Sequence, residues 1–320
     1  MRKRVAAVVE RACRVVLVSA SLAAMTGVAE AQLVPGTGVR NTEVGDDFED
    51  PEWRFDSQFP KSSSNLDGQE RQPAGMSANN RLYESTYRGV PDVVERIPTP
   101  PGGIPGSQGA LLIRSLWTGV PGRPSFEQQQ DDLMINVETR IGGYTPVARG
   151  PSIVTRVYLP PFQYWERRTG TSFGFRADVE GYKPQQQVMF RRRMNQPEME
   201  FYWPGIFIQF NSKASGYAED SATLLIRADE RGQDIIGPQI KEPGWWTLGM
   251  SFTPDGRVHY YARPGVEKLT AADHIASTYP YGFRCERFHT FFFNVVNRDD
   301  GRTWSTPWIV DDPELYFLPK

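Results

Sequence analysis

The sequence predicts an all-β protein: an antiparallel β-sandwich or jelly roll with long loops and one short helix. Three observations carry that prediction. Apolar residues recur with period two over several runs, glycine- and proline-rich breaks separate those runs, and a single segment opens like a helix. Period two puts one face of a strand on a core and the other in water.

The elements follow in chain order. Arg2, Lys3 and Arg4 form a basic start, and Val15 to Ala24 is apolar but too short to span a bilayer. Ala29-Glu30-Ala31 then matches a small-x-small cleavage site, so residues 1–31 read as a signal peptide. The expected location is secreted, periplasmic or cell-envelope. No later segment is apolar and long enough to be a transmembrane span. Removing residues 1–31 takes five basic residues from 36 and two acidic ones from 38, leaving 31 − 36 = −5. That mildly acidic balance argues against nucleic acid as a partner, which favours a basic face. Cys285 is then the one cysteine left, so no intramolecular disulfide is possible and stability rests on core burial.

Residues 32–45 are polar and glycine-rich, a flexible lead-in to one domain over 46–320. Residues 60–80 and 98–109 lack periodicity and read as loops. Strands are expected at Gly109 to Trp117, at Leu133 to Ile141, and where Phe173, Phe175, Ala177 and Val179 alternate with Arg176, Asp178 and Glu180. Others fit 152–158, 198–203, 206–211, 222–228, 245–252, 257–262, 288–296 and 314–317. Pro254-Asp255-Gly256 supplies a tight connection between two of them. Thr270 with Asp273 forms a capping box, which predicts the one helix over Ala271 to Ser277.

The segment Gly244 to Gly265, GWWTLGMSFTPDGRVHYYARPG, is a tryptophan-led strand, a turn, and an aromatic strand. With the closing WIVDDPELYF of Trp308 to Phe317, it resembles the concanavalin A-like lectin/glucanase superfamily, most specifically over 198–317. The resemblance implies a terminal strand returning beside the first, here Asp46 to Trp53. It also implies a glycan-related function, although a fold does not decide function.

The strand Glu198 to Trp203 places Glu198, Glu200 and Tyr202 on one face and Met199, Phe201 and Trp203 on the other. The expectation is that the first set meets ligand and Phe201 meets the core. In the resembled superfamily, family 16 glycoside hydrolases carry Glu-x-Asp-x-Glu on such a strand. Glu198 matches the nucleophile, Glu200 replaces the aspartate, and Tyr202 stands where the general acid belongs. Retaining hydrolysis needs two carboxyl groups, so the set is incomplete as a catalyst. Arg191 and Arg193 can bind an acidic sugar, Gln209 and Asn211 offer amides, and Trp165 lies in a polar loop where an exposed ring stacks on sugar. Three readings stay open: a polysaccharide-binding protein, a glycoside hydrolase or polysaccharide lyase, and a non-catalytic envelope protein.

Asp47 and Glu49 near the first strand and Asp311 near the last are hard oxygen donors suited to structural calcium if those ends meet. Gly170-Thr171-Ser172-Phe173-Gly174 satisfies G-x-S-x-G, but a strand follows where a nucleophile elbow needs a helix. His259, His274 and His289 lie too far apart in sequence for paired metal ligation, and Cys285 reads as a small buried hydrophobe. Cleavage after Ala31 is checked by the intact mass of the exported protein. A species that still carries residues 1–31 contradicts it.

Overall fold

The computed structural model describes residues 33–182 and 199–319. The first strands are β1 (Val39–Asn41), β2 (Phe55–Asp56), β3 (Met76–Ser77), β4 (Leu82–Glu84), β5 (Val93–Pro98), β6 (Gly109–Arg114) and β7 (Gln129–Ile135). The central ones are β8 (Thr145–Pro146), β9 (Ser152–Leu159), β10 (Gly170–Tyr182), β11 (Met199–Tyr202), β12 (Gly205–Asn211) and β13 (Ser221–Arg227). The last are β14 (Ile235–Ile240), β15 (Gly244–Phe252), β16 (Val258–Pro264), β17 (His274–Thr278), β18 (Arg284–Asn297) and β19 (Trp308–Phe317).

They form two antiparallel sheets. One has eight strands in the order β17-β16-β15-β9-β19-β6-β5, with β1 also on β19. The other has eleven, β14-β13-β12-β10-β18-β7-β4-β3-β2, with β11 also on β10 and β8 on β18. The expected β-sandwich is therefore present, and the last strand does return beside the first. The first strand is β1, however, not Asp46 to Trp53, and the lead-in carries it: Val39 pairs with Phe317 and Asn41 with Leu315. Val44, just beyond, is fully buried. Among the described residues no helix is long and apolar enough to cross a membrane.

The two inner faces meet in one aromatic-rich core. Phe173, Phe175, Phe291 and Phe293 come from the larger sheet, and Trp246, Met250, Tyr260 and Trp308 from the smaller. Trp308 lies 4.9 Å from the Phe173 ring and 4.8 Å from Trp165. Its indole N–H donates to the Ser172 carbonyl at 3.1 Å, so the polar end of a fully buried ring is satisfied.

Two local expectations change. The capping box at Thr270 is present, but it opens a single turn at Ala271–Asp273, and His274 onward becomes edge strand β17. β-branched Ile275 and the cross-strand pairing with β16 outweigh one cap. Short helices instead form at α1 (Ser64–Asp67) and α2 (Glu138–Ile141), each closed by a left-handed glycine, Gly68 and Gly142. Strand β7 accordingly stops at Ile135.

Truncating Trp308 to alanine is expected to cost about 3–5 kcal/mol of stability. Tyr164→Ala, at a 58% exposed ring, should stay within about 0.5 kcal/mol. Denaturant unfolding compares them.

Candidate functional site

Strand β10 runs through the middle of the larger sheet. Phe173, Phe175, Ala177 and Val179 point to the core, which turns Arg176, Asp178 and Glu180 outward. The antiparallel register sets Phe292 opposite Arg176, and Asn294 opposite Gly174. On the next strand, Asp132 is opposite Asn294 and Met134 opposite Phe292. On the other side of β10, Gly205 faces Arg176 and Phe207 faces Gly174.

The two glycines make room for the arginine. A Cβ on Gly205 would lie 2.7 Å from Arg176 Cγ, and one on Gly174 would meet the Phe207 ring at 2.9 Å. Arg176 can therefore lie across the sheet, its guanidinium 5.3 Å from the ring centres of both Phe207 and Phe292. It donates to the Trp203 carbonyl at 3.1 Å. Burial lowers its pKa to about 10, against the opposing pull of Asp132.

Around it is a polar cluster. Asn294 donates to Asp132, and Arg88 Nη1 stands 3.6 Å from the same carboxylate. Burial raises the Asp132 carboxyl above its ordinary range, against Arg88 and Arg176. Burial also pushes Asp178 up to about 7, against a hydrogen bond from the Trp203 side chain. Among the described residues, four buried atoms of this cluster have no hydrogen-bond partner: Arg88 Nε, Arg176 Nε, Asp178 Oδ1 and Asn294 Oδ1. Two donors and two acceptors are thus left over on one sheet face. The Tyr87 and Trp203 rings flank them, stacked 6.4 Å apart at 13° and both more than a third exposed.

Further along β10, Glu180 Oε2 is 3.4 Å from both His289 Nε2 and Arg287 Nε. His289 is the extra residue of a bulge, since Asp178 pairs with Thr290 and Val179 with Phe288. Its ring stacks on Tyr144 at 3.7 Å and meets the edge of Phe201 at 4.9 Å. Burial lowers its pKa, so the ring is neutral near pH 7.

Several expected site residues stand elsewhere. Glu198, Arg191 and Arg193 lie outside the described residues. The alternation along β11 holds, but its sides are reversed. Tyr202 pairs with Val179 on the core side and stacks on Phe283 at 4.9 Å, so it is a core residue and not a catalytic acid. Glu200 pairs with Gly181 past the edge of the core and is exposed. Phe201 and Trp203, expected in the core, face outward beside Glu180 and Asp178. Trp165 is not a stacking platform: it is 2% exposed, packed between Phe210 and Trp308. Its indole N–H reaches the Pro160 carbonyl at 2.7 Å, which gives a large amphipathic ring a satisfied place inside. Gln209 and Asn211 share the outer face, but Asn211 is buried and donates to Thr223 at 2.8 Å.

The acidic ends do come near one another. Glu49 accepts from the backbone N–H of Gln108 at 3.0 Å, and Asp47 from that of Glu49 at 3.2 Å. Asp311 is buried and accepts from Ser107 at 3.2 Å. Burial, with Asp312 and Glu49 nearby, raises Asp311 to about 7. Among the described residues no three His, Cys, Asp or Glu side chains are grouped to hold a metal ion.

No protein-family model matches the chain, and no curated protein sequence matches it. Among solved structures it is similar to an alginate lyase from Pseudomonas aeruginosa at 6% identity, over 71% of this chain and 86% of that one, with a TM-score of 0.37. A marine PL7 alginate lyase from Zobellia galactanivorans gives 9% identity, 82% and 92% coverage, and a TM-score of 0.35. The carbohydrate recognition domain of Emp47p gives 8%, 74% and 97%, and 0.33. Likenesses this slight say nothing of what this chain binds.

Asp178 supplies the test of the site's electrostatics. With its pKa raised from 3.8 to about 7, the folded state holds a proton that the unfolded chain releases first. Between about pH 4 and pH 7, rising pH should therefore destabilise the protein relative to Asp178→Asn, by up to a few kcal/mol, and the difference should level off above pH 7. Denaturant midpoints at several pH values measure it. A difference independent of pH contradicts the raised pKa.

Proposed function

We propose that the protein binds polysaccharide on the outer face of its eleven-stranded sheet. The observation that carries this is the pairing of exposed rings with unpartnered polar atoms beneath them. Sugars present both a C–H face and hydroxyls that donate and accept. Tyr87 and Trp203 offer the stacking surface. Beneath them Asp178 Oδ1 and Asn294 Oδ1, as acceptors, and Arg88 Nε and Arg176 Nε, as donors, are buried, and they pair with hydroxyls when the covering side chains part around the sugar. Leaving such groups buried and unpaired costs stability, and a ligand that pairs them recovers it as affinity. Residues 1–31, with the make-up of an export signal, accord with a partner met outside the cytoplasm.

A polysaccharide-cleaving reading has one observation in its favour. Asp178, held to about 7, exchanges a proton in the range where general acid–base catalysis is efficient. Calcium at Asp47, Glu49 and Asp311 stays a proposal apart from this site, tested by melting with calcium against chelator.

The experiment is a polysaccharide panel scored for retention and for release of chain ends. Trp203→Ala and Tyr87→Ala should each weaken binding by about 1–3 kcal/mol, whereas Val39→Ser, on β1 of the other sheet, should leave it unchanged. If both ring variants bind every polysaccharide as the parent does, the outer face is not the site. Release of ends that Asp178→Asn abolishes would make the protein an enzyme.

A further inference from the structure

The register of β16 and β17 brings two sequence-distant histidines to one serine. His259 pairs with Ser277, and its Nδ1 lies 2.7 Å from Ser277 Oγ. His274 Nε2 approaches the same oxygen at 2.8 Å. On the far side of the ring, His259 Nε2 is 2.8 Å from Thr253 Oγ1. That hydroxyl reaches Asp255 Oδ1 at 2.5 Å, across the turn between β15 and β16.

One carboxylate sets the tautomer of His259. Burial pushes Asp255 up, but the Thr253 hydroxyl, the Arg257 amide and the Arg257 guanidinium more than offset it, so its pKa is below the usual range. An ionised carboxylate only accepts, so Thr253 donates its proton to Asp255. The Thr253 oxygen then accepts Nε2–H from His259, which leaves His259 Nδ1 bare toward the Ser277 hydroxyl. His274, whose ring also bonds the Ala276 backbone, brings its Nε2 to the same hydroxyl from the other side. Burial also holds His259 down to about 4, against Asp255, so the ring is an unprotonated base throughout the neutral range. His259 is buried, whereas Ser277 is partly exposed on an edge strand. A hydroxyl, a base in reach and a third group fixing that base are the parts of an activated nucleophile.

We propose that Ser277 is an acyl-accepting nucleophile with His259 as its base, acting on carboxylic esters at a site separate from the outer face of the larger sheet. Ser277 Oγ attacks the ester carbonyl carbon while its proton passes to His259 Nδ1. The C–O bond to the alcohol breaks, and the departing alkoxide takes that proton. Water, giving a proton to the same nitrogen, then attacks the acyl carbon. The carboxylic acid leaves and the proton returns to Ser277 Oγ. No electron is gained or lost. Thr253 and Asp255 are positioning residues that keep the imidazole in the tautomer with Nδ1 bare.

The test uses the full chain with p-nitrophenyl acetate and, separately, a fluorophosphonate, followed by intact mass and peptide mapping. The expected result is a single adduct on Ser277, absent from Ser277→Ala. The acylation rate should fall about 10²-fold or more in His259→Gln. Its pH profile should reach half-maximum well below the 6.5 of an ordinary histidine. Asp255→Asn, in a surface turn, guards against misfolding of the buried variant. Its amide can donate as well as accept, so the tautomer is no longer imposed and the rate should drop with melting unchanged. An adduct on another side chain, no adduct on folded protein, or a rate that Asp255→Asn leaves unaltered would each overturn the proposal.

Discussion

Strand β10 meets β18 along ten paired positions, from Phe173 with Val295 to Tyr182 with Arg284, and both the core and the candidate site are consequences of that register. Because side chains alternate, a slip of β10 by one residue would send Phe173 and Phe175 into solvent and bring Arg176 and Asp178 into the core. Two buried phenylalanines, each contributing about 1.5–3 kcal/mol by burial, oppose that slip, as Phe291 and Phe293 oppose one of β18. The polar face is held in place by the apolar one behind it. Arg176 needs no partner of its own to be positioned, because Phe175 and Ala177 on either side are already locked inside.

That arrangement explains how the sheet tolerates charge where little water reaches. Burying an ion without compensation is costly. At Glu166 the cost is fully offset: one oxygen accepts from the Arg298 backbone and guanidinium, the other from Arg168. The cluster around Arg176 differs. Rings of Phe207 and Phe292 face the guanidinium, and Asn294 and Arg88 serve Asp132, yet donors and acceptors remain unmatched. These unmatched groups, buried on a sheet whose strands are fixed by the core, are the feature on which the proposed polysaccharide site rests.

The smaller sheet uses the same device for a different end. Ser251, His259 and Ser277 form one cross-strand row through β15, β16 and β17. The Asp255 turn closes that row, so a short surface connection sets the tautomer of a buried ring through a single intervening hydroxyl.

By itself the sequence determined the class of the fold, because period two is a local property of each strand and the core needs only that pattern. Alternation also sorted the residues of β10 and β11 into two sets correctly. It could not say which set of β11 faces the core. That depends on pairing Tyr202 with Val179, a partner some twenty residues away. Trp165 was misplaced for a related reason: its loop is polar in sequence, but Phe210 and Trp308, from distant strands, build the pocket that takes its ring. The histidines showed no motif because β16 and β17 run antiparallel, so the spacing that matters is across the sheet and not along the chain. Tertiary structure alone decided which polar groups meet, because strand register is fixed by the burial of side chains remote in sequence.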